Sequence, residues 1–226
     1  GKYPMYVVSF EYFINMRSVQ SHQELLSLNI LVEFTEEIGD SIFVSHQWLG
    51  AAHPDLNFQQ LRVLQRAMDQ IIGGQALLKS TNASYAYLGH GEYISTNEWR
   101  SRSNFLFIWY DYFSCPQLVA RNTDQEDIQE LQNAVDSIPH YVQASKYFVV
   151  LAPRVKHVDT GDLMSKESWQ SRGWCRVERV CREFLCPDSN IAVIESTQHW
   201  YVMTPFDSWL RPACMGQFTV ESDRDK

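Results

Sequence analysis

Residues 40–47, with the sequence DSIFVSHQ, combine a short apolar run with three polar side chains at its end. A continuous apolar run of this length is typical of a buried β-strand, and open α/β sheets bind ligands at the carboxyl ends of such strands. After Pro54, apolar residues recur at helical spacing from Phe58 to Ile72 and stop at Gly73. The stretch therefore predicts a strand that leads into a helix, the first unit of an α/β repeat.

The same unit recurs along the chain. Continuous apolar runs at residues 105–109, 147–151 and 191–194 predict three further strands, and residues 122–136 and 174–185 have helical spacing. Pro139 is expected to interrupt the first of these helices, and residues 154–171 are expected to form a polar loop. Alternation of strands and helices predicts one α/β domain, with a parallel sheet and helices on both faces.

Three segments lie outside this pattern. Residues 1–39 are expected to form an N-terminal extension packed on the core, with a helix over 20–34. Residues 40–196 form the α/β domain, and the polar residues 75–104 read as an irregular or hairpin insertion outside its core. Residues 197–226, rich in aromatic side chains, are expected to wrap around the domain as a C-terminal tail.

Composition limits the function. The 226 residues carry a net charge of -8, and the 19 Lys and Arg form no basic cluster, which disfavours nucleic-acid binding. No apolar run reaches the roughly 20 residues of a membrane span. The five cysteines are scattered without a Cys-x-x-Cys pair, which predicts no metal site and favours an intracellular, reducing compartment. The absence of a glycine-rich phosphate loop argues against an ordinary Rossmann or P-loop domain.

Glu178 is the carboxylate on which the functional hypothesis depends. It lies at the border of an apolar helix face that is expected to comprise Trp174, Val177, Cys181, Phe184 and Leu185. An acid partly removed from water in this way is a candidate catalytic group. Arg182, four residues later, offers the alternative of a structural ion pair on the helix surface.

Four stretches together resemble the landmarks of the Toll/interleukin-1 receptor (TIR) domain family, over roughly residues 40–196. They are DSIFVSH at 40–46, FIWYD at 107–111, ASKYFVVLAP at 144–153 and GWCRVE at 173–178. The SHQWL sequence at 45–49 is similar to a TIR-like group found in unicellular algae. IWYD at 108–111 and CPQ at 115–117 resemble, more distantly, the fungal heterokaryon-incompatibility domain. The sequence departs from the TIR pattern in the long loop after Asp111 and in Ala152-Pro153, where the family has Ser-Pro.

The resemblance implies a flavodoxin-like parallel sheet and, as in the enzymatic TIR members, cleavage of the nicotinamide–ribose bond of NAD in signalling or defence. NAD is then a substrate, and no cofactor is expected. The essential acid of the family falls on Glu178. A fixed carboxylate stabilises the oxocarbenium character that develops on the ribose, and nicotinamide leaves without a general acid.

The candidate substrate-binding residues follow the first two strands or begin the last helix: Ser45, His46, Gln47, Trp48, Asp111, Tyr112 and Trp174. Trp48 could stack on a nucleobase or close the strand–helix corner against Leu61. The alternative function is a non-catalytic interaction module, which signals by self-association or within a larger assembly.

Overall fold

The structure is a computed structural model that describes residues 1–74, 78–81, 93–94, 96–118, 125–204 and 215–218. Its central layer is a mixed seven-stranded sheet. From one edge to the other the strands are β11 (His199–Met203), β10 (Ile191–Ser196), β7 (Tyr147–Leu151), β3 (Asp40–His46), β6 (Leu106–Trp109), β1 (Tyr6–Ser9) and β2 (Val32–Glu33). Two small antiparallel pairs form separate sheets, namely β4 (Leu78–Lys79) with β5 (Tyr93–Ile94), and β8 (Val155–Lys156) with β9 (Leu163–Met164).

The helices of the described residues cover both faces of the sheet. They are α1 (Phe10–Asn15), α2 (His22–Ser27), α3 (Gln59–Ile72), α4 (Thr96–Ser101), α5 (Asp111–Ser114), α6 (Gln125–Asp136), α7 (Ile138–Ala144), α8 (Lys166–Ser171) and α9 (Gly173–Leu185), with a 3-10 turn at Ser103–Phe105. None of the helices described is both long and apolar enough to cross a membrane.

The four central strands β10, β7, β3 and β6 run parallel, and antiparallel strands flank them on both sides. In chain order the parallel strands are β3, β6, β7 and β10, so the connection from β6 to β7 reverses direction across β3. This order is flavodoxin-like, as the family resemblance implies. The reversal places a switch point at the carboxyl ends of β3 and β7, where His46 pairs with Leu151.

Each face of the sheet has its own apolar core. Ile42 and Val44 of β3 pack with α3 on one face, and Phe43 packs with Trp109 and Phe148 on the other, where α7 and α9 lie. The three rings stack, with centroids 4.2 Å apart for Phe43 and Trp109 and 5.2 Å apart for Phe43 and Phe148. Burial on both faces explains why these strands read as continuous apolar runs.

Several boundaries differ from the expectations. The helix over residues 20–34 is confined to α2, which begins at a Ser21 capping box, and the leucines that follow lead into the edge strand β2. The segment 154–171 contains a hairpin and α8 rather than a loop only. The sequence does not reveal this hairpin or α8, because the serine and threonine residues of the segment favour helix caps and turns as well as loops.

The insertion and the tail also contribute to the main body. Trp99 of α4 and Leu78 of β4 are fully buried, so the insertion reaches the core instead of remaining outside it. In the tail, β11 extends the sheet, and Phe218 contacts Trp174. The tail aromatics Phe206 and Trp209, the residues 82–92 of the insertion and Cys214 lie outside the described residues. The other four cysteines, Cys115, Cys175, Cys181 and Cys186, are free thiols.

Candidate functional site

The end of β3 delivers polar side chains to both faces of the sheet. Side chains alternate along a strand, so Ser45 points with Phe43 towards α9, whereas His46 points with Val44 towards α3 and α5. The two sets of contacts meet at the switch point of the parallel strands. The candidate site therefore has two halves, joined through the backbone of β3.

The first half is built around Glu178. The hydroxyl of Ser45 donates to Glu178 Oε2 at 2.5 Å, and the indole Nε1 of Trp169 donates to the same hydroxyl oxygen at 3.1 Å. Ser45 and Trp169 are buried, and Glu178 is 8 % exposed. Burial raises the pKa of Glu178 to about 8; the Ser45 hydrogen bond opposes the rise and the charge of Asp111 adds to it. Burial therefore favours the protonated carboxylic acid in this nearly dry site.

The alternative of a Glu178–Arg182 ion pair is wrong. Arg182 is buried on α9, and its guanidinium donates to the backbone carbonyls of Val142 at 3.2 Å, Ser145 at 2.5 Å and Lys146 at 2.6 Å. Within the described residues, no ion pair joins the two side chains. Glu178 is thus free of the cation that would have made it a purely structural group.

The buried face of α9 also differs from the expected apolar face. Cys175, Glu178 and Arg182 are buried, while Phe184 is 80 % and Leu185 is 43 % exposed. The helix turns its polar side chains inward because each finds a partner there. Cys175 is one of them: its thiol contacts the carbonyl oxygen of His46 at 3.4 Å, and burial raises its pKa well above the usual range.

The second half is a carboxylate held by two donors. His46 Nε2 lies 2.7 Å from Asp111 Oδ1, and Trp48 Nε1 donates to Asp111 Oδ2 at 2.7 Å. Burial raises the pKa of Asp111, but the charge and hydrogen bond of His46 and the hydrogen bond of Trp48 outweigh it and leave the pKa lowered. An ionised Asp111 only accepts hydrogen bonds, so His46 Nε2 is the donor in this contact. The Asp111 side chain is 33 % exposed, so this carboxylate meets solvent at the mouth of the site.

Gln60 of α3 and Tyr110, which directly follows β6, support this half. The amide Nε2 of Gln60 donates to the carbonyl of Gln47 at 3.1 Å and lies 3.4 Å from His46 Nδ1. The ring of Tyr110 stacks on the His46 ring, with centroids 3.8 Å apart. Both ring nitrogens of His46 therefore have neighbours, and the imidazole acts to orient Asp111 and is poorly placed to abstract a proton from a substrate.

Three predicted binding residues lie at the margins. The amide of Gln47 donates to the carbonyl of Ser165 at 2.9 Å and accepts from the Ser168 hydroxyl at 2.8 Å, which ties α8 to the end of β3. Tyr112 packs edge-on against Trp48. Trp174, in the first turn of α9, packs against Phe218. The structure brings Ser45 to Glu178, and His46 and Trp48 to Asp111, but gives Gln47 a structural partner in α8.

Sequence reasoning missed Trp169 and Gln60. Trp169 lies in a segment expected to be a loop, so nothing indicated that its indole would reach Ser45. Gln60 occupies a helix position that reads as an ordinary polar residue, although it is fully buried. Its place among the apolar positions of α3 was the one feature of the sequence that could have indicated a buried polar side chain.

Replacement of Asp111 by Asn is expected to destabilise the fold by about 1–3 kcal/mol, because an amide offers one oxygen to two donors and turns its NH₂ group towards one of them. Urea denaturation checks this, with Asp69→Asn as control, since Asp69 is an exposed residue of α3. Equal losses for the two variants would contradict the role given to Asp111.

Among the described residues, no group of His, Cys, Asp and Glu side chains has the arrangement of a metal site. Comparisons of the chain with protein-family models, with curated proteins and with solved structures gave no match.

Proposed function

We propose that the chain is a TIR-like enzyme that hydrolyses the nicotinamide–ribose bond of NAD, with Glu178 as the group that stabilises the transition state. One observation carries this proposal: a carboxyl group is buried at the switch point of a flavodoxin-like sheet, next to the Ser45 hydroxyl and without a cationic partner among the described residues. Ligands of such sheets bind in this crevice, and perturbed acids in clefts are functional-site candidates.

The positive charge of the substrate would favour the ionised form of Glu178. The nicotinamide ring of NAD is a pyridinium cation, and a cation close to a buried carboxyl favours its ionised form. Substrate binding would then be coupled to loss of the Glu178 proton. The resulting carboxylate interacts more strongly with the oxocarbenium-like ribose of the transition state than with the ground state. The C–N bond electrons leave with neutral nicotinamide, and water adds to the ribose carbon with release of a proton, giving ADP-ribose.

The second half of the site would bind the rest of the substrate. Asp111, oriented by His46 and Trp48 and one-third exposed, can accept hydrogen bonds from ribose hydroxyls. Trp48 is half-buried and keeps its indole N–H on Asp111, which leaves the ring position fixed for stacking on a planar base. Fixed orientation of this kind lowers the entropic cost of binding.

Hydrolysis also requires that the substrate can reach Glu178. Trp169 lies on Ser45, and Gln47 holds α8 in place through Ser165 and Ser168. A ribose reaches Glu178 only if α8 moves away from the end of β3. The covered carboxyl is also the observation that favours the second candidate function, a non-catalytic interaction module in which Ser45, Trp169 and Glu178 are a buried polar cluster.

Release of nicotinamide from NAD, followed by chromatography, separates the two functions. The wild-type chain is expected to release nicotinamide, and Glu178→Gln to do so about 100-fold or more slowly, because the amide cannot supply a negative charge. Glu183→Gln is the matched control on the same helix. Glu183 is half-buried and pairs with the buried Arg179 away from Ser45, and the glutamine oxygen can still accept from Arg179, so the rate should change by no more than about twofold. A wild-type chain that is silent at every protein concentration supports the module instead.

The pH profile gives a further expected result. The free enzyme must lose the Glu178 proton for the carboxylate to act, and the pKa of Glu178 is about 8. Because kcat/KM reports ionisations of the free enzyme, it is expected to rise with pH up to about 8 and then level off. Initial rates at low NAD concentration across this range check the profile. A kcat/KM that is flat from pH 6 to pH 9 would contradict the assignment of Glu178.

A further inference from the structure

A cleft with three arginines lies between the end of α1 and the first half of α3. Its volume is about 440 Å³, and its lining includes Arg17, Arg62, Arg66 and Asp69 together with Phe58 and Gln65. None of the residues of the Glu178 site belongs to it. The chain has 27 Asp and Glu residues against 19 Lys and Arg residues, so a cleft lined by three arginines differs from the rest of the protein.

The three arginines of the cleft have no ion-pair partner within the part of the chain that the structure describes. Among the ion pairs of the described residues, none involves Arg17, Arg62 or Arg66. Arg62 and Arg66 lie four residues apart on α3, a spacing at which like charges destabilise a helix. Asp69 is the one carboxylate of the lining, and no ion pair within the described chain connects it to these arginines. An anion bound between the guanidinium groups would relieve the repulsion.

Contacts within the protein position parts of the cleft wall. The buried amide of Gln65 donates to the carbonyls of Phe13 at 2.7 Å and Met16 at 3.0 Å, which anchors the segment that carries Arg17. The Arg62 guanidinium lies 5.6 Å from the ring centroid of Phe58, within cation–π range. Phe58 itself is held in a left-handed conformation, with φ of 54°, by its N–H bond to the Asp55 carbonyl at 3.0 Å. Such preorganisation favours binding.

We propose that this cleft binds a small ligand that carries two or more phosphate groups. Guanidinium groups match phosphate oxygens in paired hydrogen bonds. A ligand with one carboxylate could pair with one guanidinium group in this way, whereas the cleft has three arginines. The volume lies within the range of small-molecule sites. The charge is confined to one cleft and does not extend into a basic track, so the ligand is a compact polyphosphate rather than a nucleic acid.

Calorimetric titration with inorganic tripolyphosphate tests the proposal. The wild-type chain is expected to show saturable binding that weakens as salt is added. The double variant R62Q/R66Q should lose about 100-fold in affinity, since each lost charge-assisted contact is worth about tenfold or more. Both arginines are exposed, so the variant should fold, which far-UV circular dichroism verifies. ADP and inositol hexakisphosphate, titrated in parallel, distinguish a nucleotide from an inositol phosphate as the source of the phosphates.

Two control variants complete the experiment. Lys156→Gln removes an exposed cation on β8, away from the cleft, and should bind tripolyphosphate as the wild type does. Glu178→Gln should also bind normally, whether or not the chain hydrolyses NAD. No saturable binding to the wild type, or equal binding to R62Q/R66Q, overturns the proposal. Loss of binding in Glu178→Gln also overturns it, because the anion would then occupy the other site.

Discussion

At pH 8 the Glu178→Gln variant is expected to be more stable than the wild type by roughly 4 kcal/mol, and at pH 4 the two should be nearly equal. Glu178 has a pKa of about 8 in the folded chain against a model value of 4.5. Between these values the unfolded chain releases a proton that the folded chain retains. Glutamine resembles the protonated acid in shape and carries no proton to release.

The stability of the wild type is expected to fall as the pH rises, because the folded chain binds more protons than the unfolded chain in this range. Because the folded pKa is raised, the contribution of Glu178 to stability is fully present below pH 4.5 and is lost as the pH rises through about 8. The wild type should therefore lose about 1.4 kcal/mol per pH unit relative to Glu178→Gln across this window. The Ser45 hydroxyl keeps an oxygen to donate to in both proteins.

Urea denaturation at several pH values from 4 to 9 measures the difference. Glu37→Gln is the control, because this glutamate is exposed and its replacement should change stability by no more than about 0.5 kcal/mol at each pH. A gap between wild type and Glu178→Gln that stays constant with pH would show that the carboxyl is ionised in the folded state. The same result would remove the coupling between substrate binding and proton release.

The parts of the fold that sequence predicts are those where burial leaves a simple pattern. The strands β3, β6, β7 and β10 are covered on both faces, so each appears as an uninterrupted apolar run. The helix α3 keeps its apolar spacing up to the Gly73 stop. The flavodoxin-like strand order followed from the resemblance, because no local pattern specifies which strands are neighbours.

The orientation of α9 was not predictable by the same reasoning. Its apolar spacing predicts that Phe184 and Leu185 lie on the buried face. In the structure these two side chains are exposed, and Cys175, Glu178 and Arg182 are buried instead. Amphipathic patterns assign polar side chains to water, whereas these side chains are satisfied by Ser45 and by backbone carbonyls that are distant in sequence. Partners of this kind exist only after the sheet and α7 are assembled.

The candidate site is predictable in membership but not in arrangement. Ser45, His46, Trp48 and Asp111 were expected together because they lie at the carboxyl ends of the neighbouring strands β3 and β6, and the structure places all four there. Alternation along β3 nevertheless sends Ser45 and His46 to opposite faces. The three arginines of the cleft gave no sequence signal, since Arg17 is far along the chain from Arg62 and Arg66.

Replacement of Arg182 by Leu is expected to lower the free energy of unfolding by about 3 kcal/mol or more. Arg182 is 1 % exposed, and its guanidinium donates to the carbonyls of Val142, Ser145 and Lys146, at and just beyond the end of α7. A cation there also favours the negative end of that helix. Leucine would fill part of the space and leave these three acceptors without that donor in a buried site.

Two opposing effects limit the size of this loss. Burial lowers the pKa of Arg182, and its Nε has no hydrogen-bond partner among the described residues, so the folded chain already bears a desolvation cost. Arg182→Lys keeps the charge but lacks the planar fork that reaches three carbonyls, and its stability should fall between those of the wild type and Arg182→Leu. Arg66→Leu, at an exposed position of α3, should change stability by less than about 0.5 kcal/mol. If Arg182→Leu behaves like Arg66→Leu, the polar face of α9 is not what fixes the helix against α7, and the position of Glu178 beside Ser45 must depend on other contacts.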